Sequence, residues 1–453
     1  MRMRTAVLSV VVVACTSAPP APEPTPAVPI VPARPTDRPP ASVGGAAATP
    51  PASAPRRSQP AERTVRDVGD ATIRVLLSSS ASIEPKVASP GGLLFTDRDG
   101  NMLVRVNRDE MWHVERQGRR VRAVRGNGPA TPFVDGPLYA RALGAALLSV
   151  AGKPYRGDLA FYGTDTSVSV VNVVKIDDYL LGVVPGEIGT TSMQDSAAVQ
   201  AQAVTARSYA YVHLSSDPAR PYDVTGGVLD QVYGGVAVES AVASEAVEST
   251  RTLVLKYAGR VVNAPYHSTC GGETAAASEL WRSGDEPYLR RVSDQIPGTS
   301  RYYCDISPRF RWTRTLDQGT LNAALARYLA TYTNVPGKTP GKAMAITVGS
   351  RTASGRVGTV TITTDRGNYV VRGNDVRYVL RAPGGEILNS TLFSIDATPA
   401  ADGSIARLVL HGNGYGHGVG MCQWGAIGRA RAGQDFLTIL ATYYPGTTVG
   451  AAQ

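Results

Sequence analysis

Residues 195–214 constrain the fold most tightly. Their spacing predicts a helix, on which Val199, Ala203, Ala206 and Ala210 make a narrow stripe of small side chains. Such a stripe lets neighbouring backbone come close, so the helix belongs inside a packed structure. Gln200, Val204, Arg207 and Tyr211 share another of its faces, and Ser192 and Asp195 have the spacing of a capping box at its start.

Strand-like runs precede it at Thr72–Leu77, Leu93–Thr96, Met102–Val106 and Met111–Glu115, with Gly92, Gly100 and Gly118 as punctuation. Alternation around Tyr155–Tyr162 and Ser167–Ile176 adds two more strands. After it come a helix over Val236–Ser249 and a hairpin, Thr252–Tyr257 with Arg260–Tyr266, turning at Ala258-Gly259. Leu321, Leu325 and Leu329 mark another helix, Val357–Thr363 and Tyr369–Arg372 a second hairpin. A strand over Ile405–Leu410, a glycine-rich loop and a helix over Gln423–Ala432 close the chain. Strands and helices mix without βαβ regularity and no repeat of 20–50 residues recurs, which predicts an α+β fold of mixed sheets and hairpins with packed helices.

The start of the chain cannot join that core. Met1–Arg4 is a basic opening and Thr5–Ala14 an apolar run too short to span a bilayer, which together read as a signal peptide over 1–14. Cys15 stands where the apolar run stops, the place of a lipid-modified cysteine in an exported lipoprotein; plain secretion is the alternative. Residues 15–65, rich in Pro, Ala, Ser and Thr, read as a disordered tether. Folded sequence is expected over 66–453, with a β-rich part at 66–176, a core at 177–453 and an inserted subdomain near 305–395. The net charge of +9 favours anionic surroundings, but no basic block is interleaved with aromatics, so nucleic acid is not the expected partner.

Three motifs offer chemistry. Asp178-Tyr-Leu-Leu-Gly-Val-Val-Pro-Gly-Glu187 is expected to bend at Pro185-Gly186 and present Glu187 between rigid elements, with Val183, Val184 and Ile188 to desolvate it; an ordinary exposed loop carboxylate is the plain alternative. His267-Ser-Thr-Cys-Gly-Gly272 supplies donors beside a turn where backbone can approach a ligand, or else is simply a capped turn. Gly412–Gly425 surrounds His417 with glycines, suggesting a loop wrapped on a ligand, or a structural corner. In an exported protein Cys270 and Cys304 can form a disulfide, leaving Cys422 over; a metal site of His267, Cys270 and Cys304 is the alternative. A Cys422–His417 nucleophile pair has no orienting acid in view.

Together these segments resemble the stage II sporulation protein D family, which includes the amidase enhancers. The motifs that carry the likeness are Asp178–Glu187, Ala198–Tyr209, Gln231-Val-Tyr-Gly-Gly, Tyr266–Gly272, Gly373–Arg377 with Asn389–Phe393, Gly414–Ala426 and Tyr443-Tyr-Pro-Gly. The resemblance implies a lytic transglycosylase acting on peptidoglycan glycan strands stripped of stem peptides, with Glu187 as its single acid and base. It implies a glycan groove lined by Arg207, Gln231, Tyr233, His267, Ser268, Thr269, Gly271, His417 and Gln423, with Gln202 bracing the helix. A non-catalytic glycan-binding enhancer of an amidase is the rival it leaves open. Thr250-Arg-Thr and Cys422 depart from the usual pattern, where Gly and Ser are commoner. No cofactor is required by that chemistry; zinc near the His-Ser-Thr loop, present in some relatives, keeps the metal alternative alive. The expected location is the cell envelope, lipid-anchored through Cys15, with glycan strands and an amidase as partners.

Overall fold

The helix Ser196–His213 runs through the interior, with Ala198, Val199, Ala201, Ala203, Val204, Ala206 and Ala210 all buried. The structure is a computed structural model and describes residues 71–80, 84–190, 192–217, 219–227, 230–282, 285–382 and 384–452. These fall within one compact unit, residues 63–453. The expected signal peptide, Cys15 lipidation and tether lie outside the described residues.

The expected capping box does not form. Ser192 opens a short 3-10 turn, Met193–Asp195, and the Asp195 carboxylate is spent on Thr190 Oγ1 at 2.7 Å and on Arg431 Nε and Nη2 at 2.7 and 3.0 Å. An ion pair with a distant arginine replaces the local cap.

One antiparallel pair leads into the site. Thr72–Ser80 lies against Val168–Lys175, with Thr72 opposite Lys175, inside a sheet of seven strands. Val168–Lys175 is buried on both faces along nearly all its length and then runs directly into the helix Ile176–Ile188. That helix is longer than the sequence suggested. Pro185 is not a break but an interior residue of the last turn, and Gly189, in the left-handed region at φ 67°, ends the helix with its N–H bonded to the Pro185 carbonyl. Glu187 therefore sits on a helix, not on a loop.

Ala258 (φ 49°) and Gly259 (φ 79°) turn the hairpin as expected, both with positive φ as a two-residue hairpin turn demands. A second group of buried side chains gathers between Leu316 and Leu410. It packs the helix Gln318–Tyr332 over two three-stranded sheets, Arg311–Asp317 with Phe393–Pro399 and Ile405–Asn413, and Ala343–Arg351 with Val357–Thr364 and Gly367–Arg372. The architecture is α+β.

Arg207 has a structural role in this core. Only 1% exposed, it donates to Asp177 Oδ1 at 3.0 Å and to the carbonyls of Thr250, Leu253 and Val247 at 2.8, 3.1 and 3.2 Å. Its guanidinium ties the central helix to the Glu187 helix and to the end of the helix Ala241–Ser249, so it does not line a groove. Arg207→Ala leaves the Thr250, Leu253 and Val247 carbonyls without their donor and Asp177 with Arg251 alone at 3.3 Å, which is expected to cost about 3–5 kcal/mol of folding stability. Urea unfolding checks this: a loss under about 1 kcal/mol would place Arg207 among ordinary surface ion pairs.

Candidate functional site

Two glycines bring a donor to Glu187. Gly182 and Gly186 are four residues apart and share one helix face, leaving a trough in which residues 231–235 lie. A Cβ on Gly182 would stand 2.6 Å from the Tyr233 ring, and one on Gly186 would stand 3.2 Å from the Val232 carbonyl oxygen. The Gly234 N–H bonds the Gly182 carbonyl at 3.0 Å. In this trough the Val232 N–H donates to Glu187 Oε1 at 2.6 Å.

The second wall comes from a parallel pairing of two short strands, Tyr266 opposite Met421 and His267 opposite Cys422. The Tyr266 hydroxyl and the Gln423 side chain stand close enough to the Glu187 carboxyl to favour its charged form. Gln231 sets the direction of the tyrosine: Tyr179 donates to its Oε1 at 3.1 Å, and its Nε2 donates to the Tyr266 hydroxyl oxygen at 3.0 Å. With that oxygen already accepting, the Tyr266 O–H is free to donate to Glu187. Gln423 in turn donates to Gln202 at 3.2 Å, which ties its amide to the central helix.

Glu187 is half-buried. Burial among apolar neighbours raises its proton affinity above the ordinary carboxylate range, and the Val232, Tyr266 and Gln423 donors offset only part of that rise. Asp230, the carboxylate two residues from Val232, is committed elsewhere, accepting from Thr225 N and Oγ1 at 2.8 and 2.7 Å and from the Tyr209 hydroxyl at 2.9 Å. The site thus offers one acid with a favoured proton, fixed by donors on rigid backbone.

The other expected residues divide. His267 and His417 face each other edge-on with ring centres 5.4 Å apart, and Trp281 lies 5.3 Å from His417. His417 Nε2–H donates to the Tyr266 carbonyl at 2.7 Å while its Nδ1 accepts from Val419 N–H at 3.1 Å. His267 Nδ1 is 3.2 Å from the Val419 carbonyl, and its buried Nε2 has no hydrogen-bond partner among the described residues. Both imidazoles are driven toward the neutral form, first by burial and then by neighbouring positive charge; His417 falls to about 3. Thr269 exchanges two backbone hydrogen bonds with Tyr415, and the half-buried Ser268 accepts from Trp424 N–H through its carbonyl. Gly271 (φ 79°) allows the loop to touch residues 413–414, where an added Cβ would sit 2.9 Å from Asn413 and Gly414. These residues hold the two loops together beside Glu187.

Arg207 and Tyr233 are corrections. Arg207 is locked in the core as described. Tyr233 is 7% exposed, bonds Asn172 Oδ1 at 2.8 Å and packs between Tyr155 and Tyr179, because the glycine face of the helix draws its ring inward. Sequence reasoning missed the Val232 N–H, Tyr179 and Tyr266. Each stands inside a motif that carries the resemblance, Tyr179 after Asp178, Val232 after Gln231 and Tyr266 before His267.

The expected Cys270–Cys304 bridge is not made: both are thiols, with sulfurs 3.5 Å apart against about 2.05 Å for a bond. Nor does His267 join them, since the cluster that gathers there is Cys270, Asp294, Cys304 and Cys422. A cleft of about 520 Å³ lined by residues including Trp281, Thr359, Arg372 and Asp375 is a separate feature, whose lining includes neither Glu187 nor His267.

Residues 164–257 match the family model described as stage II sporulation protein, and residues 275–420 match a domain of unknown function. A protein of Brachyspira hyodysenteriae, itself uncharacterised, is 32% identical over 299 residues, which is 66% of this chain and 73% of that one. The chain belongs to the stage II sporulation protein D and amidase enhancer family. Within the family, the amidase enhancer of Bacillus subtilis is 29% identical over 337 residues, 67% of this chain but only 45% of its own length. The stage II sporulation protein D of the same organism is 26% identical over 306 residues, 63% of this chain and 78% of its own. Among the described residues no helix is long and apolar enough to cross a membrane.

The histidines give a pH prediction. A His417 pKa depressed from about 6.5 in the unfolded chain to about 3 adds stability that is full above the unfolded value and lost as pH falls toward the folded one. Folding stability should drop on acidification across that window, and His417→Gln should flatten the slope. In NMR titrations neither His267 nor His417 should protonate between about pH 8 and pH 5. An imidazole titrating near 6.5 would overturn the buried, neutral assignment.

Proposed function

We propose that this chain is a peptidoglycan lytic transglycosylase of the cell envelope, exported and lipid-anchored, acting on glycan strands free of stem peptides. The observation that carries the reading is the Glu187 carboxyl, held by the Val232 N–H at 2.6 Å and pushed toward its protonated form by burial. The protonated acid donates to the oxygen of the glycosidic bond between muramic and glucosamine sugars. That bond breaks, and the resulting carboxylate takes the proton from the muramic C6 hydroxyl as its oxygen closes on C1. A 1,6-anhydro end forms, no water is consumed and Glu187 finishes as it began. A glycoside hydrolase would ordinarily use a second carboxylate about 5–9.5 Å away. With Asp230 tied to Thr225 and Tyr209, the single acid favours the intramolecular route.

Tyr266 and Gln423 serve as positioning residues. Their donors steady the carboxylate once its proton has left, and Gln231 keeps the tyrosine aimed. The relative named an amidase enhancer gives the second reading, in which the same groove binds glycan and stimulates a separate amidase without turnover.

Product mass from purified, peptide-free glycan strands tests the proposal. The intact protein should release fragments with anhydro ends, and Glu187→Gln should lower the rate by about 10²- to 10⁴-fold, the usual worth of a general acid. Tyr266→Phe should cost roughly tenfold, the value of one strong hydrogen bond, with the product unchanged. Strands left intact by a protein that still binds them and accelerates an amidase would favour the enhancer reading.

A further inference from the structure

Cys270, Asp294, Cys304 and Cys422 come from four separate stretches of chain and meet in one place. One ligand atom from each lies within 4.8 Å of every other, and all four residues are 0% exposed. Cys270 follows the His-Ser-Thr strand, Asp294 lies in the irregular segment beyond it, and Cys304 is in the 3-10 turn Tyr303–Ile306. Cys422 is the residue from which the helix Gln423–Arg431 starts.

The surroundings are arranged as for metal-bound anions. Cys422 Sγ accepts two backbone N–H bonds, from Cys270 and Gly425, both at 3.2 Å, an environment suited to a thiolate at a helix start. Asp294 is divided between two tasks. Its Oδ1 is taken by the Tyr443 hydroxyl at 2.6 Å and by Arg429 Nε and Nη2 at 3.3 and 3.1 Å. Its Oδ2 turns to Cys270 Sγ at 3.3 Å. A ligating carboxylate held on its far oxygen by outer donors is the usual design of a metal site.

The sulfur spacing discriminates between fates. At 3.5 Å, Cys270 and Cys304 are well beyond a covalent bond and close to the edge of a zinc–thiolate tetrahedron, about 3.8 Å for Zn–S distances near 2.3 Å. A disulfide would use two of the three sulfurs and leave a buried thiol, whereas a metal uses all three. Two glycines allow the helix to approach: a Cβ on Gly425 would stand 2.1 Å from Asp294 Oδ2, and one on Gly428 would stand 2.0 Å from the Tyr303 carbonyl oxygen.

We infer that Cys270, Cys304, Cys422 and the Oδ2 of Asp294 bind one zinc ion in a closed, structural site that clamps the two strands beside Glu187. Three soft thiolates and one carboxylate gathered in a buried cluster suit zinc above the harder divalent cations. The ion has no open position and takes no part in bond breaking. Its effect is to fix where Gln423 and Tyr266 stand, because Cys422 and Gln423 are adjacent and Tyr266 is four residues before Cys270.

Elemental analysis of the full-length protein, purified with zinc present and then dialysed, decides it. About one zinc per chain is expected, with the three thiols unreactive to a thiol reagent until a chelator and denaturant are added together. Cobalt added to the reduced, metal-free protein should give sulfur-to-metal charge-transfer absorption. Tyr443→Phe keeps all four ligands and should weaken zinc binding about 10- to 100-fold in competition with a chromophoric chelator, by removing an outer-shell donor. Zinc-free protein with a Cys270–Cys304 bridge by non-reducing mass spectrometry, or with three freely reactive thiols, would overturn the proposal. An unaltered affinity in Tyr443→Phe would remove Asp294 from the ligand set.

Discussion

The site depends on one short parallel pairing, Tyr266 with Met421 and His267 with Cys422, between segments more than 150 residues apart in sequence. Two residue pairs are too few to be stable by their own hydrogen bonds. They persist because the surroundings fix both strands: His417 donates to the Tyr266 carbonyl, Trp424 to the Ser268 carbonyl, and Tyr444 to the Pro265 carbonyl at 2.7 Å. Arg356, 1% exposed, adds a bond to the Cys270 carbonyl at 2.7 Å. Side chains and backbone from several distant segments thus hold one polar junction, where an unpaired buried carbonyl would cost more than the bond that satisfies it returns.

That arrangement explains the glycines of the last motif better than flexibility does. Gly414, Gly416, Gly418 and Gly420 all have positive φ; an added Cβ would collide with the facing 265–272 segment at the first, second and fourth and with the Arg356 guanidinium at Gly418, at distances of 2.0–2.9 Å. Close approach of backbone to backbone lets one loop rest on the other, and the histidines fill the seam as neutral hydrogen-bonding wedges. Glu187 meets this seam from the opposite side on a helix whose own glycines admit the Val232 loop. Both walls of the site are therefore glycine-cut, and the carboxyl is left between them.

Much of this was legible in the sequence. The buried central helix, the hairpin at Ala258-Gly259 and the α+β class follow from spacing and turn chemistry. Three of the readings that failed show why. Pro185-Gly186 looked like a break, yet a proline late in a helix loses only one hydrogen bond and the helix continues to Gly189. Arg207 shares a helix face with polar residues, but a face is not a destination, and Asp177 with three carbonyls claimed it. Cys422 seemed surplus because sequence counting pairs cysteines in twos, while the fold collects three with Asp294. Contacts between residues 35 to 52 apart in sequence leave no local trace of their geometry, so the Val232 N–H bond and the Tyr179–Gln231–Tyr266 chain were beyond reach.

The central claim is that packing, not a partner charge, keeps a proton on Glu187 when neighbouring carboxylates have lost theirs. Carbon-13 NMR of the glutamate side-chain carboxyls, with Glu187→Gln identifying the resonance, tests it directly. The account predicts a Glu187 midpoint above the ordinary value of about 4.3, in the direction that burial imposes. A midpoint at or below that value would mean the carboxyl is ionised and solvated in the folded protein, and would contradict the account.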